Sequence, residues 1–172
     1  MRWFYALNAG VLSLALTGCI STKHPQSAAE FRQALPGSSN GAVEKYIVYR
    51  SLAQVTSAFK KNASKCLNVS IKTTSRTNMS NQVIVTNYKP TVVATKIKVE
   101  LHVQQHHSQG VTKISEEPDG GYYLLVADAI KVAKKKTRLT VYRPRMGFDV
   151  LANAVRSWAS GTNMGCPDMT KI

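Results

Sequence analysis

The sequence predicts an α+β domain: one antiparallel sheet with a short N-terminal helix and a C-terminal helix packed on it. Three observations carry this. The 172 residues are 44% hydrophobic and 19% charged, which is enough apolar side chain for one core and too few residues for two large domains. A strand and a short helix are followed by four or five β segments whose connections are short enough for consecutive hairpins, which pair neighbours antiparallel. The last long segment is an amphipathic helix whose apolar face suits a sheet. The same composition excludes disorder as the general state, although the formal net charge is +14.

Taken in order, residues 1–18 read as a signal segment, 19–42 as a flexible tether, and 43–172 as the single α+β domain. The tether is rich in Ser, Gln, Ala, Gly and Pro, with Pro25, Pro36, Gly37 and Gly41 as breakers; Ala28 to Leu35 is long enough for a short helix. Lys45 to Arg50 is aromatic and β-branched and reads as a strand. Ser51-Leu52-Ala53-Gln54 is a capping-box pattern. Leu52, Val55 and Phe59 then give one apolar helix face, and Lys60, Lys61 and Lys65 sit where cations favour a helix C-terminus, so the helix ends near Ser64.

Leu67, Val69 and Ile71 alternate with polar residues as in a half-buried strand, and Thr73 to Asn81 is polar turn material. Gln82 to Tyr88 is a strand that Lys89-Pro90 breaks. Thr91 to His107 alternates again, with a phase change near Ala94-Thr95 that implies a bulge or bend. Ser108 to Gly121 reads as a loop. Tyr122 to Val132 and Thr137 to Tyr142 form a hairpin around Lys134 to Lys136. Phe148, Leu151, Val155 and Trp158 place an amphipathic helix over Gly147 to Ser160, stopped by Gly161.

The N-terminus fixes the compartment expected. Met1-Arg2 carries one positive charge, Trp3 to Leu16 is apolar or small, and Leu16-Thr17-Gly18-Cys19 follows. The apolar run is shorter than the roughly 20 residues of a spanning helix. Leu16-Thr17-Gly18-Cys19 resembles the bacterial lipobox, and the resemblance implies that Cys19 is diacylglycerylated and becomes the mature N-terminus. The domain would then sit in the periplasm, held to a membrane by acyl chains worth about 0.8 kcal/mol per buried methylene. By the same resemblance Ile20 after Cys19 favours the inner leaflet of the outer membrane.

With Cys19 assigned to lipid, Cys66 and Cys166 remain as an even pair in an oxidising compartment. A disulfide is the economical reading, closing a loop of about 100 residues worth about 4 to 5 kcal/mol in the chain-entropy model; two free thiols are the alternative. Loss of residues 1–18 removes Arg2 and no acid, so the mature chain stays strongly basic. Export turns attention from nucleic acid to anionic lipid, peptidoglycan carboxylates or an acidic envelope protein. The densest basic run, Lys134, Lys135, Lys136 and Arg138, is the candidate partner surface, against the plainer reading of a dispersed, solubilising charge.

The order of elements over Val43 to Cys166 resembles the helix-grip (START-like) fold, in which a curved antiparallel sheet wraps a C-terminal helix. Exported lipoproteins of the outer-membrane β-barrel assembly machinery combine such domains with a lipidated cysteine and a flexible lead. The resemblance is topological, and another α+β sandwich, such as a TATA-binding-protein-like one, fits the same order. In helix-grip relatives the space under the helix often holds a ligand, and here Phe148, Trp158, Val155, Tyr122 and Tyr123 would either line or fill it.

No catalytic pattern is present: no Gly-x-Ser-x-Gly, no Cys-His pairing, no phosphate loop, no matched carboxylate pair. His102 and His106 share a strand face but stand roughly 13 Å apart along an extended strand, too far to chelate one ion. Glu116, Glu117 and Asp119 lack EF-hand spacing and read as a solvated loop. The expectation is therefore a non-enzymatic lipoprotein without metal or cofactor, acting as an accessory or scaffold subunit of an envelope assembly. A carrier of a hydrophobic ligand is the alternative.

Overall fold

The computed structural model describes residues 24–76, 81–109, 117–162 and 164–172. Its elements are α1 (Ala28–Ala34), β1 (Gly41–Val48), α2 (Leu52–Cys66), β2 (Ser70–Arg76), β3 (Asn81–Ala94), β4 (Lys98–Gln109), β5 (Tyr122–Ala133), β6 (Lys136–Pro144) and α3 (Asp149–Ser160), with a 3-10 turn over Met169–Lys171. The fold is α+β, a curved, open, fully antiparallel sheet in the order β1-β6-β5-β4-β3-β2. β2 to β6 form a meander, and the first strand closes beside the last.

α2 therefore has to carry the chain from one sheet edge to the other. Its 15 residues rise about 22 Å, close to the roughly 24 Å across six strands. Its cap is the Ser51–Gln54 capping box, both halves of which are formed. Leu52, Val55, Phe59 and Ala63 are buried on one face, and α3 lies beside α2, burying Leu151, Val155 and Trp158 in the same core. α3 ends at Gly161, where φ of +83° gives the left-handed cap that suits glycine.

Alternation along β5 defines the two faces. Leu125, Ala127 and Ala129 enter the core under α2 and α3, whereas Val126 faces a smaller cluster with Ala28 and Phe31 of α1. α1 thus packs on the opposite sheet face. The stretch from Ala28 to Ala34, expected within a flexible tether, belongs to the folded body, because Phe31 finds Tyr123 and Tyr142 to pack against. That partner surface lies about 90 to 110 residues further along, out of reach of local pattern.

Other boundaries move for similar reasons. β1 starts at Gly41, four residues before the expected strand, because its ladder to β6 begins at Gly41 opposite Pro144. Leu67 is the C-cap of α2, so β2 starts later and runs through Thr73 to Arg76, which pair with β3. Pro90 does not break β3. The Tyr88 amide donates toward β2, to the Val69 carbonyl at 2.8 Å, so the nitrogen of Pro90, two residues on, also faces that side. β2 has run out there, and proline's missing N–H leaves no ladder bond unmade. The phase change near Ala94-Thr95 is the β3–β4 turn: Thr95 and Lys98 close it backbone to backbone at 2.7 Å.

Candidate functional site

The sequence-predicted residues scatter. Cys19 and the rest of the lipobox lie outside the described residues, as does Glu116. Cys66, the last residue of α2, is joined to Cys166 beyond α3, with Cα atoms 5.1 Å apart. His102, His106 and His107 have separate partners: His102 Nε2 meets Glu100 at 2.8 Å, His106 Nδ1 meets Glu117 at 2.5 Å, and His107 Nδ1 meets Thr86 Oγ1 at 3.0 Å. Among the described residues no group of three His, Cys, Asp or Glu is placed to hold a metal ion. No described helix is long and apolar enough to cross a membrane.

Of the residues expected to line or fill the space under α3, those on the helix fill it. Val155 and Trp158 are buried in the core, and the Trp158 indole N–H donates to the Gly165 carbonyl at 3.2 Å. Tyr123 is on the other sheet face, its ring centroid 5.8 Å from that of Phe31.

Two ionic clusters hold the layers together. On the α1 face, Arg32 donates from Nε and Nη2 to the two Asp128 oxygens at 2.9 and 2.7 Å and also pairs with Glu100. Lys98 Nζ reaches Glu100 at 2.8 Å. Burial alone would raise the Glu100 carboxyl, but the hydrogen bonds from Lys98, His102 and Arg32 outweigh it and hold the group at about 2. On the opposite face, Arg143 bonds Glu44 at 2.8 Å and Asp149 of α3 at 2.7 Å, fixing the start of that helix. Arg50 donates to the Trp158 and Ala159 carbonyls at 3.1 and 3.3 Å and so caps its end. Each cluster ties a helix to the sheet, α1 to β5 through Arg32–Asp128 and α3 to β6 through Arg143–Asp149.

The four residues of the basic run take different positions. Lys134 and Lys135 occupy the β5–β6 turn and are exposed. Lys136 folds over Tyr49, 6.0 Å from its ring centroid. Arg138 is exposed on the α1 side of β6, since Leu139 and Val141 point into the core. Lys134 also lines a concave surface. That surface is an open groove of about 780 Å³ between the first turns of α2 and the β3–β4 and β5–β6 tips, lined by Lys60, Lys61, Lys96, Lys131 and Lys134 with Ser51, Thr56 and Ser57. No acidic residue lines it. Lys60 and Lys61, expected at a helix C-terminus, stand mid-helix because α2 runs on to Cys66. The sequence spreads these lysines over 75 positions; only the antiparallel meander puts their turns at one end of the sheet.

No protein-family model matches the chain, and no curated protein matches it. Among solved structures it is similar to the crystal structure of a hypothetical protein from Helicobacter pylori, at 10% identity and a TM-score of 0.39, over 76% of this chain and 90% of that one.

Proposed function

We propose that the chain is a non-catalytic bacterial envelope lipoprotein, anchored to a membrane through acyl chains on Cys19 and serving as an accessory or scaffold subunit of an envelope assembly. The observation that carries the reading is the division of labour among its three cysteines. One stands at the end of a lipobox-like sequence, and the other two are joined to each other, a pairing that suits an oxidising compartment outside the cytosol. The strongly basic surface supplies a contact for an acidic partner. The ionic clusters and buried core supply rigidity rather than reactivity.

Intact-mass analysis under non-reducing conditions, followed by native mass spectrometry of protein solubilised from its own membranes, tests the reading. The expected species begins at a lipid-modified Cys19, is two hydrogens lighter than its reduced form, and travels in a larger protein complex. Replacing Lys134, Lys135, Lys136 and Arg138 together by glutamate should release the partner while the domain stays folded. An unmodified N-terminus sinks the lipoprotein assignment. A monomer carrying a bound lipid beyond its anchor favours the carrier.

A further inference from the structure

The end of the sheet that carries the lysine groove carries apolar side chains as well. The β3–β4 and β5–β6 tips are locked side by side, the Lys131 amide donating to the Ile97 carbonyl at 3.0 Å. Each tip exposes a branched apolar residue, Ile97 at 68% and Val132 at 51%. Each of these adjoins lysines in sequence, Lys96 and Lys98 around Ile97 and Lys131 before Val132. Tyr49, 80% exposed, stands beside Lys136 on the same end. Among the described residues none of the five groove lysines has an ion pair, so their charge is available to a ligand.

Cations in a concave surface select anions, and closely spaced ones select phosphate groups presented together. The exposed Ile97 and Val132 narrow the choice. A soluble polyanion offers them nothing, and two branched side chains are too small an apolar area for the centre of a protein interface. At a bilayer surface both features have partners: lysines meet lipid phosphates while apolar tips leave water for the headgroup–acyl boundary. We propose that this end of the molecule docks on an anionic bilayer, the lysine groove taking lipid phosphates and Ile97 and Val132 entering the interface. The site shares only Lys134 with the basic tip above and does not depend on acylation of Cys19.

Residues 19–172 carrying Cys19→Ser, so that neither an acyl chain nor the apolar run Trp3 to Leu16 contributes, are mixed with vesicles of phosphatidylcholine alone or with added phosphatidylglycerol and sedimented. Partition onto the anionic vesicles should exceed that onto the neutral ones by about tenfold or more and should fall as salt rises. Lys96→Glu with Lys131→Glu should remove about tenfold or more of it, and Ile97→Ser with Val132→Ser a smaller part, roughly threefold. Lys72→Glu with Lys89→Glu makes the same change in net charge away from the groove and should leave partition nearly intact. All variants are first shown to keep the wild-type unfolding midpoint. Equal losses from the two lysine pairs, no preference for anionic vesicles, or binding of tripolyphosphate in the groove without vesicle partition would each overturn the proposal.

Discussion

At Gly121 the backbone takes φ of +104°, and a Cβ added there would stand 2.1 Å from the Gln105 carbonyl oxygen. Both facts demand glycine, and the second cannot be relieved by a side-chain rotation because the obstacle is the neighbouring strand's backbone. Gln104 completes the arrangement. Buried at the register shift between β4 and β5, it donates from Nε2 to the Asp119 and Gly121 carbonyls at 2.9 and 2.8 Å and holds the turn that feeds β5. Gly121→Ala should therefore cost about 3 kcal/mol, since backbone strain and a close contact add. Urea unfolding would read this as a lower midpoint at unchanged slope. A variant as stable as wild type would mean that the turn has another low-energy path into β5.

At the scale of elements, α1 is the layer held by the fewest contacts. Its grip consists of Ala28 and Phe31 against one patch of sheet, and of Arg32 clasping Glu100 and Asp128. The depressed Glu100 carboxyl makes that grip pH-dependent. Because its folded value is about 2, below the ordinary carboxylate value, its contribution is complete above about pH 4.5 and drains away as pH falls toward 2. Amide-exchange protection of α1 should fall across this window relative to the core strands. Glu100→Gln should weaken α1 at neutral pH and flatten the dependence; an equal fall in that variant would assign the effect to other carboxylates. The same element shows what sequence could and could not disclose. The Ser51–Gln54 capping box and the Leu151, Val155 and Trp158 stripe are local patterns, and both helices stand where those patterns put them. Whether Ala28 to Ala34 docks, whether Pro90 interrupts β3, and which lysines share a groove are decided by residues far along the chain. A proline is tolerated only because a neighbouring strand happens to end, a fact no periodicity contains.

For the molecule as a whole, the two ends of the sheet have different tasks. The chain enters at one end, where the His24 ring packs 4.9 Å from that of Tyr122 at the start of β5, and the lysine groove lies at the other, about 40 Å away along a 12-residue strand. Cys19 stands about five residues before His24, a reach of at most about 18 Å. If acyl anchor and groove engage one membrane, the strands must therefore lie along its surface. The Cys66–Cys166 bridge acts on this same scale. It encloses β2 to β6 and α3 and pins the tail whose Met169 is buried in the core, so its loss frees the unfolded chain across nearly the whole domain. For a separation of 100 residues the chain-entropy model gives about 4.7 kcal/mol. At roughly 3 to 5 °C per kcal/mol for a domain of this size, reduction or the paired Cys66→Ser and Cys166→Ser change should lower the midpoint by about 15 to 20 °C. Calorimetry with and without reductant measures this. A shift of only a few degrees would show that the reduced chain already keeps its tail against α2. In that case the core alone would hold the domain in a reducing cytosol, and the bridge would cease to argue for export.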